Sequence, residues 1–158
     1  MSNIIIGTAG HIDHGKTALI RALNGFEGDS TNEEKQRGIT IDLSFSNLNR
    51  AERNIAFIDV PGHEKLIKNM IAGAFGFDYV MLVVSAKESL MPQTIEHIEI
   101  LSLLGIKNLI LVITKKDLVD EKTLKEQEDK IVEFLNEFEF NIKFIKAVSI
   151  YDEKSIED

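Results

Sequence analysis

The residues with the clearest chemistry lie close to the amino terminus, in Gly10-His11-Ile12-Asp13-His14-Gly15-Lys16-Thr17. They fit the spacing G-x-x-x-x-G-K-[ST] with no residue out of place. Gly10 and Gly15 let the backbone wrap closely enough to aim successive N–H groups at a β-phosphate. Asp13, His14, Gly15 and Ala18 then belong to the phosphate cradle. The Lys16 ammonium spans the β- and γ-phosphates, serving both binding and catalysis, and the Thr17 hydroxyl ligates Mg²⁺. The apolar run Ile4-Ile5-Ile6 precedes this stretch and a helical pattern, Ala18 to Leu23, follows it. A helix entered this way points its positive end at the same phosphates. An ordinary Gly-rich turn is the competing reading, and the strand–loop–helix context argues against it.

Two further stretches have chemistry that complements a nucleotide. Asp59-Val60-Pro61-Gly62 follows an apolar run. Its spacing puts a carboxylate near Mg²⁺, through water, and a glycine N–H within reach of a γ-phosphate, the basis of an order–disorder switch. Thr114-Lys115-Lys116-Asp117 follows another apolar run. Asp117 there can accept hydrogen bonds from guanine N1–H and N2–H₂, a donor pair that adenine lacks. The aliphatic stem of Lys115 would lie along the base plane.

The elements that must position these residues alternate, apolar run then helical pattern, from end to end. Strands are expected at about Asn3–Thr8, Ile39–Leu48, Asn54–Ile58, Tyr79–Val84, Leu109–Ile113 and Ile142–Val148. Helices are expected at Lys16–Leu23, Gln93–Leu104 and Glu121–Phe138, with another beginning at Lys154. The continuous Val/Ile/Leu runs suit central parallel strands covered on both faces. Ile39 to Leu48 alternates apolar and polar residues and suits an edge strand paired antiparallel with the next. The expected fold is therefore α/β of the P-loop NTPase type. It has a mostly parallel six-stranded sheet, helices on both faces and one antiparallel edge strand. Phe26 to Gly38 is polar and without apolar period, a loop and a candidate mobile switch.

Composition narrows the function classes. At 158 residues the chain suits one domain with a real core, here taken as residues 1–158. It holds no cysteine, which excludes disulfides, zinc–cysteinate sites and thiol catalysis. The formal net charge of −8 argues against broad attraction to nucleic acid. No leader is read before Ile4, and no apolar stretch approaches the roughly 18–20 residues of a membrane span. A cytoplasmic monomer with no membrane partner is expected.

Taken in order, Gly10 to Thr17, Arg37-Gly38-Ile39-Thr40-Ile41, Asp59-Val60-Pro61-Gly62-His63 and Thr114 to Asp117 resemble the translational GTPases, in the elongation-factor-Tu-like branch. Thr40-Ile41-Asp42-Leu43 and Asp59-Val60-Pro61-Gly62-His63-Glu64 are most similar to the selenocysteine-specific members of that branch. The resemblance implies GTP and GDP as ligands with Mg²⁺. It implies that Thr40 joins Thr17 and Asp59 around the metal, that Gly62 meets the γ-phosphate, and that His63 positions the attacking water. It also implies that the backbone at Ala147 and Val148 contacts guanine O6, although Lys146 stands where the family often has Ser. The usual Asn of the base-reading motif is replaced by Thr114. Partners implied for a full-length member are the ribosome, selenocysteinyl-tRNA and, through carboxy-terminal domains not in this chain, an mRNA hairpin. A GTPase for standard aminoacyl-tRNA, a P-loop kinase or ATPase, and a nucleotide-holding module without turnover stay open at this point.

Overall fold

The computed structural model describes residues 2–24, 44–50, 53–59 and 76–157. Strands are β1 (Ser2–Ala9), β2 (Ser44–Arg50), β3 (Arg53–Asp59), β4 (Tyr79–Ser85), β5 (Asn108–Thr114) and β6 (Asn141–Ala147). Helices are α1 (Lys16–Asn24), α2 (Pro92–Leu103), α3 (Glu121–Leu135) and the short α4 (Glu153–Glu157).

Local chemistry accounts for several of these boundaries. Pro92 opens α2, where its missing N–H costs nothing and its φ is already helical. Asp120 caps α3, its Oδ1 accepting from the Thr123 N–H at 2.7 Å. In β4 and β5 every residue after the first is buried. Alternate side chains serve opposite faces. Val80, Leu82, Val84, Leu109, Leu111 and Ile113 pack with Ile98 and Leu101 of α2 and Ile131 and Leu135 of α3. Met81, Val83, Ile110 and Val112 pack with Leu19 and Ile20 of α1, and Ile156 of α4 adds to that side. Each such fully buried aliphatic side chain contributes about 1.5–3 kcal/mol.

Across the sheet the hydrogen-bonded order is β2-β3-β1-β4-β5-β6. The strands that run parallel are the five in β3-β1-β4-β5-β6. This corrects the expected six-stranded, mostly parallel sheet with one antiparallel edge strand: the parallel sheet has five strands. The remaining strand, β2, expected as an antiparallel edge strand at 39–48, is the outer arm of a hairpin. It runs antiparallel to β3, from Ser44 opposite Asp59 to Arg50 opposite Arg53. The reason is chain length and pattern. Parallel neighbours need a crossover of a dozen or more residues, whereas Arg50 and Arg53 are separated by only Ala51 and Glu52. The alternation in Ser44-Phe45-Ser46-Asn47-Leu48-Asn49 also lacks the two apolar faces that a covered parallel strand requires.

Smaller boundaries move as well. Ile39 and Ile41, expected in that strand, lie outside the described residues. The helix expected to reach Phe138 stops at Leu135, and tight turns follow. There the N–H groups of Glu137 and Phe138 donate to Phe134 and Leu135 carbonyls, each at 3.1 Å. Phe138 still packs on the core, between the rings of Phe134 and Phe140. Its apolar character therefore reflects burial, not helical period. Among the described residues no helix is long and apolar enough to cross a membrane.

Candidate nucleotide site

Because β1, β3, β5 and β6 are parallel, their carboxyl ends share one edge of the sheet. Gly10 follows β1, Asp59 ends β3, Thr114 ends β5 and Ala147 ends β6. The strand order reverses at β1, whose neighbours are β3 and β4, and ligands of open α/β sheets bind at such a switch point.

The loop from Gly10 to Gly15 is shaped by its backbone. Gly10 has φ 135°, and a Cβ there would come within 2.2 Å of the Val83 carbonyl oxygen. The loop therefore lies directly on β4. Gly15 has φ 87° with open space beside it, and the exposed Asp13 has φ 64°. Lys16, nearly buried, donates from Nζ to the carbonyls of Gly10 at 3.1 Å and His11 at 2.9 Å. Thr17 and Ala18 are half-buried in the first turn of α1. A phosphate oxygen is a stronger acceptor for an ammonium than a neutral carbonyl. A loop that gathers an ammonium, a helix amino terminus and an open glycine therefore fits a nucleotide phosphate.

Neighbouring elements hold this loop with side chains that no motif includes. The buried His97 on α2 accepts from the Gly10 N–H through Nδ1 at 3.2 Å, and Gln93, one turn earlier, accepts from the Ile12 N–H at 3.1 Å. Burial, aided by Lys16 and His11, holds the His97 pKa down to about 4, so the ring is neutral at pH 7. His14, also fully buried, is held at about 4, again chiefly by burial. Gln93 and His97 stand four apart on α2, a spacing that marks one helix face but does not reveal what that face touches.

Thr114, which stands where the motif usually has Asn, makes contact with the phosphate loop. Its buried hydroxyl donates to the His14 carbonyl at 2.6 Å, joining the end of β5 to the phosphate loop. Lys115 follows in the left-handed region, at φ 57°, ψ 35°, and starts a 3₁₀ turn over Lys116–Leu118. Asp117 is exposed in that turn. The turn is braced from β6: the Lys116 N–H donates to the Val148 carbonyl at 3.2 Å, and Lys116 Nζ lies 2.8 Å from Asp152. The Val148 N–H donates to the Ile113 carbonyl at 2.8 Å, and the Ser149 N–H to Ser155 Oγ at 3.1 Å. Both donors are thus already engaged, while Ala147 lies in register with Ile113. Glu88, which the sequence reading also missed, sits between Lys115 and His14.

The structure so brings together Asp13, His14, Gly15, Lys16, Thr17, Ala18, Thr114, Lys115, Asp117, Ala147 and Val148 along one edge. Thr40, Gly62 and His63 lie outside the described residues, and of Asp59 only the backbone position is described. Of the expected metal set, Thr17 is the member whose side chain is described.

Residues 1–156 match the family model for the elongation factor Tu GTP binding domain. A selenocysteine-specific elongation factor of Desulfomicrobium baculatum is 51% identical over 133 residues, covering 84% of this chain and 21% of that protein. The crystal structure of a bacterial selenocysteine-specific elongation factor superposes with a TM-score of 0.93 at 44% identity, covering 100% of this chain and 27% of that one. Elongation factor SelB from Methanococcus maripaludis, solved in complex with the GTP analogue GppNHp, gives a TM-score of 0.81 at 33% identity, over 96% of this chain and 30% of that one. The chain thus spans about a fifth of the length of the curated relative it matches. Motif order, sheet topology and these likenesses agree: the chain belongs to the elongation factor Tu GTP-binding-domain family, and it is similar to the corresponding part of selenocysteine-specific elongation factors.

Proposed function

We propose that this domain binds GTP and GDP with Mg²⁺ along the carboxyl edge of its sheet and hydrolyses GTP slowly by itself. In the whole protein, that cycle governs delivery of selenocysteinyl-tRNA to the ribosome in the cytoplasm, with tRNA and an mRNA hairpin bound by other domains. Membership in a GTPase family supports nucleotide binding and hydrolysis in general. The observation that carries the finer reading is the bond from Thr114 to the His14 carbonyl, which ties the phosphate loop directly to the Lys115–Asp117 turn.

In this reading Lys16 turns from the loop carbonyls to the β- and γ-phosphates, and the first turn of α1 adds its N–H groups. Thr17, Thr40 and Asp59 would hold Mg²⁺, which would supply positive charge to the phosphates when bound. Gly62 meets the γ-phosphate. Asp117 accepts from guanine N1–H and N2–H₂, Lys115 lies along the base, and the backbone near Ala147 faces O6. Phosphoryl transfer to water needs placement more than covalent help, and His63 supplies it by orienting the water. With no arginine finger assigned, turnover of the isolated domain is expected around or below ~10⁻⁴–10⁻² s⁻¹.

Nucleotide titration of the purified domain tests the base assignment. The wild type should bind GDP and GTP and reject ATP. Asp117→Asn should weaken GTP by on the order of 10²-fold while improving XTP, whose second carbonyl accepts from the new amide. An unchanged GTP/XTP preference would show that the base is read elsewhere.

A further inference from the structure

Glu88 belongs to none of the stretches that mark the nucleotide site, yet it stands between two of them. It lies in the turn that leaves β4, and that turn is firmly anchored. The Glu88 and Ser89 N–H groups donate to the Ser85 carbonyl at 3.2 and 2.8 Å, and the Ala86 N–H donates to the Thr114 carbonyl at 2.9 Å. The backbone carrying Glu88 is therefore fixed to the residue that immediately precedes Lys115. From there Oε2 of Glu88 reaches Lys115 Nζ at 3.3 Å and His14 Nε2 at 3.5 Å. Because His14 is buried and neutral, its contact at that length is a weak dipolar one, and the ion pair is with Lys115. Burial pushes the Glu88 carboxyl up, but the Lys115 ammonium and hydrogen bonding outweigh it, so the net displacement is downward.

We propose that Glu88 is a positioning residue for the nucleobase: it holds the Lys115 side chain against the phosphate loop, so that the aliphatic stem is in place before the base arrives. The proposal rests on reading the Lys115–Asp117 turn as the base-reading segment. A lysine stem is long and freely rotating, and ordering it in advance removes a cost that the nucleotide would otherwise meet on binding. Glu88 and Lys115 are 37% and 33% exposed, so water screens the pair and its effect is modest and salt-dependent.

The test is the dissociation rate of a fluorescent GDP from the wild type, Glu88→Ala, Glu88→Gln, Lys115→Ala and the double variant Glu88→Ala/Lys115→Ala, at low and high salt. Melting temperatures confirm that each is folded. The result expected is release about two- to fivefold faster from Glu88→Ala, the scale of a partly exposed ion pair. Glu88→Gln should show a smaller increase, since the amide still accepts from the ammonium. The difference should narrow as salt rises, and removing Glu88 should add nothing once Lys115 is gone. Unchanged or slower release from Glu88→Ala would overturn the proposal, as would an effect that persists at full size in the Lys115→Ala background. If Lys115→Ala speeds release and Glu88→Ala does not, the base-reading assignment stands and only the role of Glu88 falls. If Lys115→Ala releases GDP at the wild-type rate, the assignment of Lys115 falls, and the proposal with it.

Discussion

Gly10 and Lys115 lie along the same edge of the sheet, and the contacts around them are of different kinds. At the phosphate corner the partners are buried and neutral. The Gly10 N–H meets a neutral His97 ring, the Thr114 hydroxyl meets the His14 carbonyl, and Lys16 itself is turned onto loop carbonyls. At the base corner the ties are ion pairs between partly exposed side chains, Lys115 with Glu88 and Lys116 with Asp152. Buried hydrogen bonds in a low-dielectric setting are strong, and leaving one unmade is costly, whereas exposed ion pairs are screened and contribute little. The phosphate loop is thus a fixed platform built into the core. The turn that carries Lys115 and Lys116 is trimmed at the surface, where salt and single charges can adjust it.

The contrast predicts different responses to perturbation, and acid should produce the largest. His14 and His97 have folded-state pKa values of about 4 against 6.5 when unperturbed. Between those values the unfolded chain binds protons that the folded chain does not. Stability therefore is complete above pH ~6.5 and falls as the pH is lowered towards ~4, by on the order of 3 kcal/mol for each histidine. Urea unfolding at pH 7 and pH 5 measures it, and a His97→Gln variant should show a shallower fall. A flat profile across that interval would mean that the phosphate corner is not the dry, neutral platform described.

Next in size is Gly10→Ala. The added methyl would meet the Val83 carbonyl oxygen at 2.2 Å, in a backbone conformation that already disfavours a side chain. A loss of roughly 3–5 kcal/mol is expected by urea unfolding, larger than for ordinary overpacking because the obstacle is main chain. A loss below the range of a surface substitution would separate the loop from β4.

Thr114→Val sharpens the comparison further. It removes the donor to the His14 carbonyl and leaves that buried acceptor unmatched, at about 1–3 kcal/mol, while Thr114→Ser should restore most of it. Lys116→Ala, at the base corner two residues away, should leave the melting temperature unchanged. Equal losses from both sites would erase the distinction between the corners.

Much of this was legible in the chain itself. Gly10 to Thr17 declares its loop because phosphate binding requires glycine, lysine and hydroxyl at fixed local spacing. The runs Tyr79–Val84 and Leu109–Ile113 declare covered strands because two buried faces leave no place for a polar residue. The same local reading overran where burial imitates period, as at Phe138, and ended the antiparallel arm at Leu48 where the strand runs on to Arg50.

What only the tertiary structure decided is who holds the loop. The substitution of Thr for the usual Asn at position 114 reads, in sequence, as a loosened motif. In space its hydroxyl is the link to His14, a hundred residues earlier. Gln93 and His97 look like ordinary positions of an amphipathic helix, and Glu88 like a surface charge, until the sheet sets α2 and the turn after β4 against the phosphate loop. The physical reason is range. Spacing within a stretch constrains chemistry over a few residues. A hydrogen bond between distant segments is created by the packing of β1, β4 and β5, and leaves no spacing of its own in the chain.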